Sequence, residues 1–329
     1  MERAARVGHY IYIMSRPHSG STILDIMLGS SQEIAGCGEI IMGMERRDED
    51  WQCSCGELVE ACPVWSEVKK SMQAEPGFDW EVFAKASVDQ SEKTNLIGTL
   101  LAKSAAERRS EKNAWLADET QRLQDAICAA SNSRHVLDSS KRPARGLFLL
   151  KFLKSARLIH IVRDPRSVVA SHYRRVQIND TYLVQRRPYK GWLEPLAYVE
   201  ASVMWLMGNL LFELIGRAHP DRVIRIQYED LSERPATVLR RLSDELDIDL
   251  SDSITRLEKN ESFASGHMLG GSLERTKPDI RFNAKRDQSR KRPAYLDWMA
   301  TAICFPLMLR YGYRLGTYKT MTTAASGSG

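Results

Sequence analysis

Apolar and polar positions change their rhythm sharply within the first thirty residues. Tyr10 to Met14 (YIYIM) is a strand-length apolar run, Ser15 to Gly20 (SRPHSG) is a turn of small and basic residues, and from Thr22 a helical repeat places Ile23, Ile26 and Met27 on one face. The same change recurs downstream. RHVLDSS (134–140) reads as a strand followed by the helix ARGLFLLKFL (144–153), and ARLIHIVRDPRSVVASHYRR (156–175) as a strand running into a helix. DRVIRIQYEDL (221–231) is another strand, followed by the helix RPATVLRRLSDEL (234–246). Between Trp80 and Ser131 the pattern is helical and polar with no strand signal, so these helices are expected against one side of the sheet. EIAGCGEI (33–40), with two glycines, reads as a turn-rich stretch, and Trp298–Leu309 as a core helix. Strands alternating with helices predict an α/β fold, a central parallel sheet flanked by helices, whose ligands gather at the carboxyl ends of the strands.

Composition narrows the partners more than the fold. The 329 residues are 43% hydrophobic and 27% charged, ordinary for a globular chain able to bury a full core. A formal net charge of +5 suits an anionic ligand, and no aromatic residues interleave with basic clusters, so no nucleic-acid partner is expected. With no export signal read at the start, the expected compartment is cytoplasmic. Trp298–Leu309 contains Pro306 and falls short of the roughly 20 residues of a bilayer-spanning helix, so no transmembrane segment is expected. Without repeats or low-complexity linkers, residues 1–320 are expected to form a single domain. Within it, 45–132 would be a cysteine-bearing helical insertion, and 321–329 a disordered tail; the oligomeric state is open.

A strand that turns into a helix leaves backbone N–H groups pointing outward, a place that binds anions. The layout is that of a triphosphate-binding loop, but Ser15 stands where its first Gly belongs and Ser21 where its Lys belongs. What remains is a cradle of N–H groups and hydroxyls from Ser19, Gly20, Ser21 and Thr22; the plainer reading is an ordinary turn capped by Ser. A second anchor is IHIVRDPRSVVAS. Arg163 leaves a strand end, Asp164 is placed to cap the next helix, Pro165 takes its first position, and Ser171 follows on its second turn or so. Forked guanidinium donors and a hydroxyl suit a phosphate, and the plainer reading is an Arg–Asp surface pair.

Together, RPHSGST and RDPRSVVAS resemble the sulfotransferases that use 3′-phosphoadenosine 5′-phosphosulfate (PAPS), a bacterial-type pattern with similarities to tyrosylprotein and carbohydrate sulfotransferases. The resemblance implies a P-loop-like nucleotide-binding sulfotransferase fold. It also implies that Arg16, Pro17, His18, Ser19, Gly20, Ser21 and Thr22 hold the 5′-phosphosulfate, while Arg163 and Ser171 hold the 3′-phosphate. It extends to Tyr228 in QYEDL, beside the nucleotide, and to Gly270, Gly271 and Arg275 in HMLGGSLER, a loop closing over the 3′-phosphate. The implied reaction moves a sulfuryl group directly to an acceptor hydroxyl on a small molecule, sugar, lipid or peptide. It leaves adenosine 3′,5′-bisphosphate and needs no metal.

Three residues are candidates for the chemistry. His18 stands where the family commonly has Lys or Arg; an imidazole can donate one hydrogen bond, and a nearby dianion raises its pKa. Arg16 is an alternative cation. Lys141, after the strand VLDSS, resembles the lysine that stabilises the transferring group in such enzymes, against the plainer reading of a solvated surface lysine. Glu39 in CGEI resembles the catalytic Glu of the CGEE stretch in tyrosylprotein sulfotransferases, against a helix-start Glu answering the dipole.

The six cysteines divide differently. Cys53, Cys55 and Cys62 sit in CSCGELVEACP, Cys37 lies upstream, and Cys128 and Cys304 are scattered. C-x-C followed by six residues and Cys lacks the paired C-x-x-C of common zinc sites. Reduced thiols are the first reading, with a metal or a disulfide as alternatives and no metal ligand assigned. Two other functions remain open, a nucleotide-dependent phosphotransferase on the same fold and a noncatalytic nucleotide-binding protein. The first needs a loop lysine and a magnesium-binding acid, neither of which is evident.

Overall fold

The computed structural model describes residues 8–45, 51–92, 111–177, 194–277, 280–282 and 294–315. Five strands form one sheet: β1 (Tyr10–Ser15), β2 (Ile34–Gly36), β3 (His135–Asp138), β4 (Ala156–Val162) and β5 (Val223–Gln227). The described helices are α1 (Ser21–Leu28), α2 (Ile40–Glu45), α3 (Pro63–Gln73), α4 (Trp80–Ser91), α5 (Glu111–Ser131), α6 (Pro143–Phe152), α7 (Pro165–Gln177), α8 (Glu194–Ala218), α9 (Tyr228–Glu233), α10 (Pro235–Leu246), α11 (Ser251–Glu258) and α12 (Ala294–Arg310). A short 3₁₀ turn covers Leu273–Thr276. The tail 321–329, like part of the expected insertion, lies outside the described residues.

The strand order is β2-β3-β1-β4-β5, and every pairing is parallel. β1 therefore lies at the centre, and all six of its residues are buried. Its alternation sorts them between two cores: Tyr10, Tyr12 and Met14 pack with Trp65, Phe83, Leu123 and Phe148, whereas Ile11 and Ile13 pack with Leu24, Met27, Leu239 and Leu242. Helices α3 to α6 thus cover one face, and α1 and α10 the other. Each buried aliphatic or aromatic side chain contributes roughly 1.5–3 kcal/mol relative to exposure, so a strand filling both cores anchors the sheet. The chain passes from β1 through α1 to β2 on one side, and later from β3 across to β4 on the other. The carboxyl end of β1 is the switch point where such sheets take ligands.

The expected turn at EIAGCGEI contains β2. Three residues with a terminal glycine carry no legible period, and the strand exists because β3 offers it an edge, with Ile34 opposite His135 and Gly36 opposite Leu137.

The chain divides into two compact units, one of residues 1–162 with 211–282 and one of residues 163–210 with 283–329. The first holds the whole sheet. In the second, Val169, Tyr198, Ala201 and Leu296 form a small core. There the Trp205 indole donates to the Arg163 carbonyl at 3.0 Å, and the Cys304 thiol donates to the Ser202 carbonyl at 3.4 Å. By length and composition alone, Pro195–Ala218 within α8 is apolar enough to cross a membrane, with 44% of its most apolar window buried. Its Phe212 and Ile215 lie in the sheet's core, and Ser202 and Asn209 are buried polar residues.

Candidate active site

The turn after β1 is closed by the Ser19 N–H donating to the Arg16 carbonyl at 3.2 Å. His18 (φ 69°) and Gly20 (φ 91°) both have left-handed backbones there. Gly20 is also sterically required, because a Cβ on it would stand 2.3 Å from the Tyr228 ring. It occupies the N-cap of α1 and supplies no side-chain cap, so the first N–H groups of that helix keep their positive end available. Ser21 and Thr22 open the helix and are buried. The hydroxyls of Ser15 and Ser19 are buried and have no hydrogen-bond partner among the described residues. Buried polar atoms are normally satisfied, so an anion accepting from these groups completes what the fold leaves open. The turn fits a phosphate group. Arg16 lines it, and burial lowers its guanidinium from the usual range. Pro17 is exposed beside it.

The second stretch is built across the sheet's carboxyl edge. Gly38 pairs with Leu269 in a parallel bridge, with the Leu269 N–H donating to Cys37 at 2.7 Å and the Glu39 N–H donating back to Leu269 at 3.1 Å. This brings Gly270 and Gly271 onto Glu39 and the start of α1. A Cβ at Gly271 (φ 103°) would lie 3.3 Å from Thr22 Oγ1 and 3.8 Å from Glu39 Oε1, and the Ser272 N–H donates to Thr22 Oγ1 at 3.4 Å. On the other side, the Ser139 N–H donates to the Gly38 carbonyl at 2.8 Å, carrying Lys141 (φ 66°) toward Glu39. Lys141 Nζ and Glu39 Oε1 form an ion pair at 2.5 Å. The two residues proposed for chemistry from separate motifs are in contact.

Beneath them lies a layer of buried polar groups. Asp138 accepts from the Tyr10 hydroxyl at 2.9 Å and from the Ser140 hydroxyl at 2.5 Å, and the Ser140 oxygen in turn accepts the Ile41 N–H at 3.0 Å. Burial pushes the Asp138 carboxyl up, opposed first by the Arg145 guanidinium. Asp25 of α1 is wholly buried, and burial pushes it up to about 7, opposed by the Ser139 hydroxyl. That hydroxyl lies near Asp25 without reaching ordinary hydrogen-bond geometry, because neither carboxylate oxygen has such a bond among the described residues. Sequence reading missed Asp25, although its signal was present: one acid inside the apolar run ILDIML.

Arg275, on the 3₁₀ turn after the glycines, is buried with its guanidinium 5.9 Å from the Trp51 ring centre. In the second unit Arg163 is buried immediately before α7, and Ser171 sits on that helix, half-buried. Asp164 accepts the Arg166 N–H at 2.9 Å and pairs with the Arg166 guanidinium at 2.5 Å, so it does cap the helix and pairs locally with Arg166.

A solved structure with a similar fold is the sulfotransferase domain of the Synechococcus PCC 7002 olefin synthase, at 18% identity and TM-score 0.50, covering 94% of this chain and 96% of that one. Sulfotransferase STF9 from Mycobacterium avium aligns at 15% identity and TM-score 0.48, over 95% of this chain and 79% of that one. No curated protein sequence matches the chain. A profile of the sulfotransferase family matches residues 11–252, most of the sequence and all five strands. The chain belongs to the sulfotransferase family.

Proposed function

We propose that the protein transfers a sulfuryl group from PAPS to an acceptor hydroxyl by direct in-line displacement. The donor supplies an activated sulfuryl group on a phosphosulfate anhydride. Arg16 to Thr22 receive its 5′ end through the open N-terminus of α1 and the unpartnered hydroxyls of Ser15 and Ser19. Arg163 and Ser171 are assigned to the 3′-phosphate by their motif, with Gly270, Gly271 and Arg275 as a closing loop and Tyr228 against the turn. The helical stretch 45–132 is assigned to the acceptor side.

Glu39 accepts the proton that the acceptor hydroxyl loses. Lys141 places its ammonium where negative charge grows on the departing oxygen, and His18 adds a hydrogen bond from the turn. In a loose transition state the attacking oxygen has little bond order, so electrostatic stabilisation by Lys141 outweighs early proton removal by Glu39. The observation that carries this reading is the Glu39–Lys141 ion pair, set against the glycine loop and within one residue's reach of the α1 start.

Glu39→Gln and Lys141→Ala are expected to keep affinity for adenosine 3′,5′-bisphosphate and to lower turnover by about 10²–10⁴-fold. Labelled-donor transfer to a panel of cell extracts measures turnover and samples sugars, lipids, small metabolites and peptides together. Wild-type protein that binds the bisphosphate yet labels nothing would favour a noncatalytic nucleotide binder. Unchanged turnover in both variants would remove Glu39 and Lys141 from the chemistry.

A further inference from the structure

Three thiols and an imidazole converge away from the phosphate turn. The ligand atoms of Cys53, Cys55, Cys62 and His267 all lie within 4.8 Å of one another. Cys53 Sγ is 3.6 Å from Cys62 Sγ, and His267 Nδ1 is 3.2 Å from Cys62 Sγ and 3.9 Å from Cys53 Sγ. A zinc ion with sulfur at ~2.3 Å and nitrogen at ~2.0 Å spreads tetrahedral ligands about 3.5–3.8 Å apart. The observed separations bracket those edges. Cys37 does not belong to the group, and its place is taken by a histidine more than two hundred residues downstream.

The backbone presents these side chains independently of any ion. Gln52 and Leu58 pair across a tight hairpin, inside which the Cys53 N–H donates to Glu57 at 2.9 Å and the Gly56 N–H to Cys53 at 3.0 Å. Cys62 is the extended residue before Pro63, which begins α3. His267 is fixed from both sides. The Trp65 indole donates to its carbonyl at 2.7 Å, while the Ser54 hydroxyl receives the Met268 N–H at 2.7 Å and donates to the Gly266 carbonyl at 2.9 Å. Cys53 and Cys62 are buried, His267 is half-buried and Cys55 closes the exposed side. Such outer hydrogen bonds orient ligands in metal sites. A disulfide needs sulfurs about 2.05 Å apart, and Cys53, Cys55 and Cys62 are all free thiols.

We propose that Cys53, Cys55, Cys62 and His267 bind one zinc ion as a closed structural site. Three thiolates and a neutral imidazole suit tetrahedral zinc, and four protein ligands leave no position for substrate. Binding forms three zinc–sulfur bonds and one zinc–nitrogen bond, and the three thiol protons leave to solvent without any change in oxidation state. The ion ties the 51–62 hairpin to the segment that pairs with Gly38 two residues after His267 and then supplies Gly270 and Gly271. It therefore acts on the site by holding that segment.

The full chain, purified under reducing conditions without added metal, is expected to retain about one zinc per chain by elemental analysis. Replacing zinc by cobalt should give the intense visible absorption of a tetrahedral ion with a thiolate-to-cobalt band. Cys62→Ser and His267→Ala should each lower zinc content and weaken the cobalt band, while Cys128→Ser, outside the cluster, leaves both unchanged. If either variant fails to fold, the wild-type cobalt spectrum and the fall in melting temperature on chelation decide. A folded, zinc-free chain whose cobalt form lacks the thiolate band overturns the site, and so does a Cys53–Cys62 disulfide in the purified protein. Metal content is read without sulfuryl transfer, so the result stands apart from the proposed reaction.

Discussion

Asp25 sits where an aliphatic side chain would be expected, between Leu24 and Ile26 on a helix whose residues are nearly all buried. Its carboxyl, pushed up to about 7 by burial, is protonated in the fold over a range where the unfolded chain has already lost the proton. The folded state therefore binds one proton more between about pH 4 and pH 7. The stabilisation from this group is complete below the unfolded value and is lost as pH rises through the folded one. Asp25→Asn keeps the shape and removes the titration. Its melting temperature should fall less between pH 5 and pH 8 than that of the wild type, and an identical fall by calorimetry would show that the carboxyl does not titrate there. Residues of this kind escape sequence reading because their environment is made by other elements. Asp25 is pushed up by burial, and the groups that oppose the rise, Ser139 first, lie outside its own motif.

Among the elements, the strands β1, β3, β4 and β5 were legible because each is a short segment built around branched or aromatic apolar residues and followed by turn or helix-start signals, continuous in β1 and broken by single polar residues in β4 and β5. β2 was not, because an edge strand of three residues borrows its order from its neighbour. The long helix α8 gave no stripe to recognise, since its apolar residues lie around the whole circumference rather than along one face. The candidate site was legible as separate motifs, while its assembly was not. Glu39 reaches Lys141 only through the β2–β3 register, and His267 meets the cysteines only once the glycine segment has paired with Gly38. Helix α6 adds a further test. Its Arg145 is fully buried, with the guanidinium 6.0 Å from the Tyr10 ring centre and 5.6 Å from that of Phe148, and it is the main group opposing the rise of Asp138. Arg145→Met should cost about 3 kcal/mol in urea unfolding, because it leaves a buried carboxyl without its cation. A loss below about 1 kcal/mol would mean that Asp138 is already neutral in the fold.

At the scale of the molecule, the donor proposed for this mildly basic chain carries phosphate at both ends of an adenosine. Ligand that binds only the native state at about 100 times its Kd adds about 2.7 kcal/mol of stability. Adenosine 3′,5′-bisphosphate should raise the melting temperature more than adenosine 5′-phosphate does, and Arg163→Ala should abolish the difference while sparing the shift from the monophosphate. Equal shifts from both nucleotides in the wild type would remove Arg163 from the 3′-phosphate. The bond from Ser272 to Thr22 joins positions 250 residues apart, and this separation bears on synthesis. On the ribosome the turn after β1 emerges long before the segment that closes beside it, because that whole stretch of chain lies between them. A nascent chain arrested before Leu269 therefore has the first half of the proposed grip and nothing to shut it.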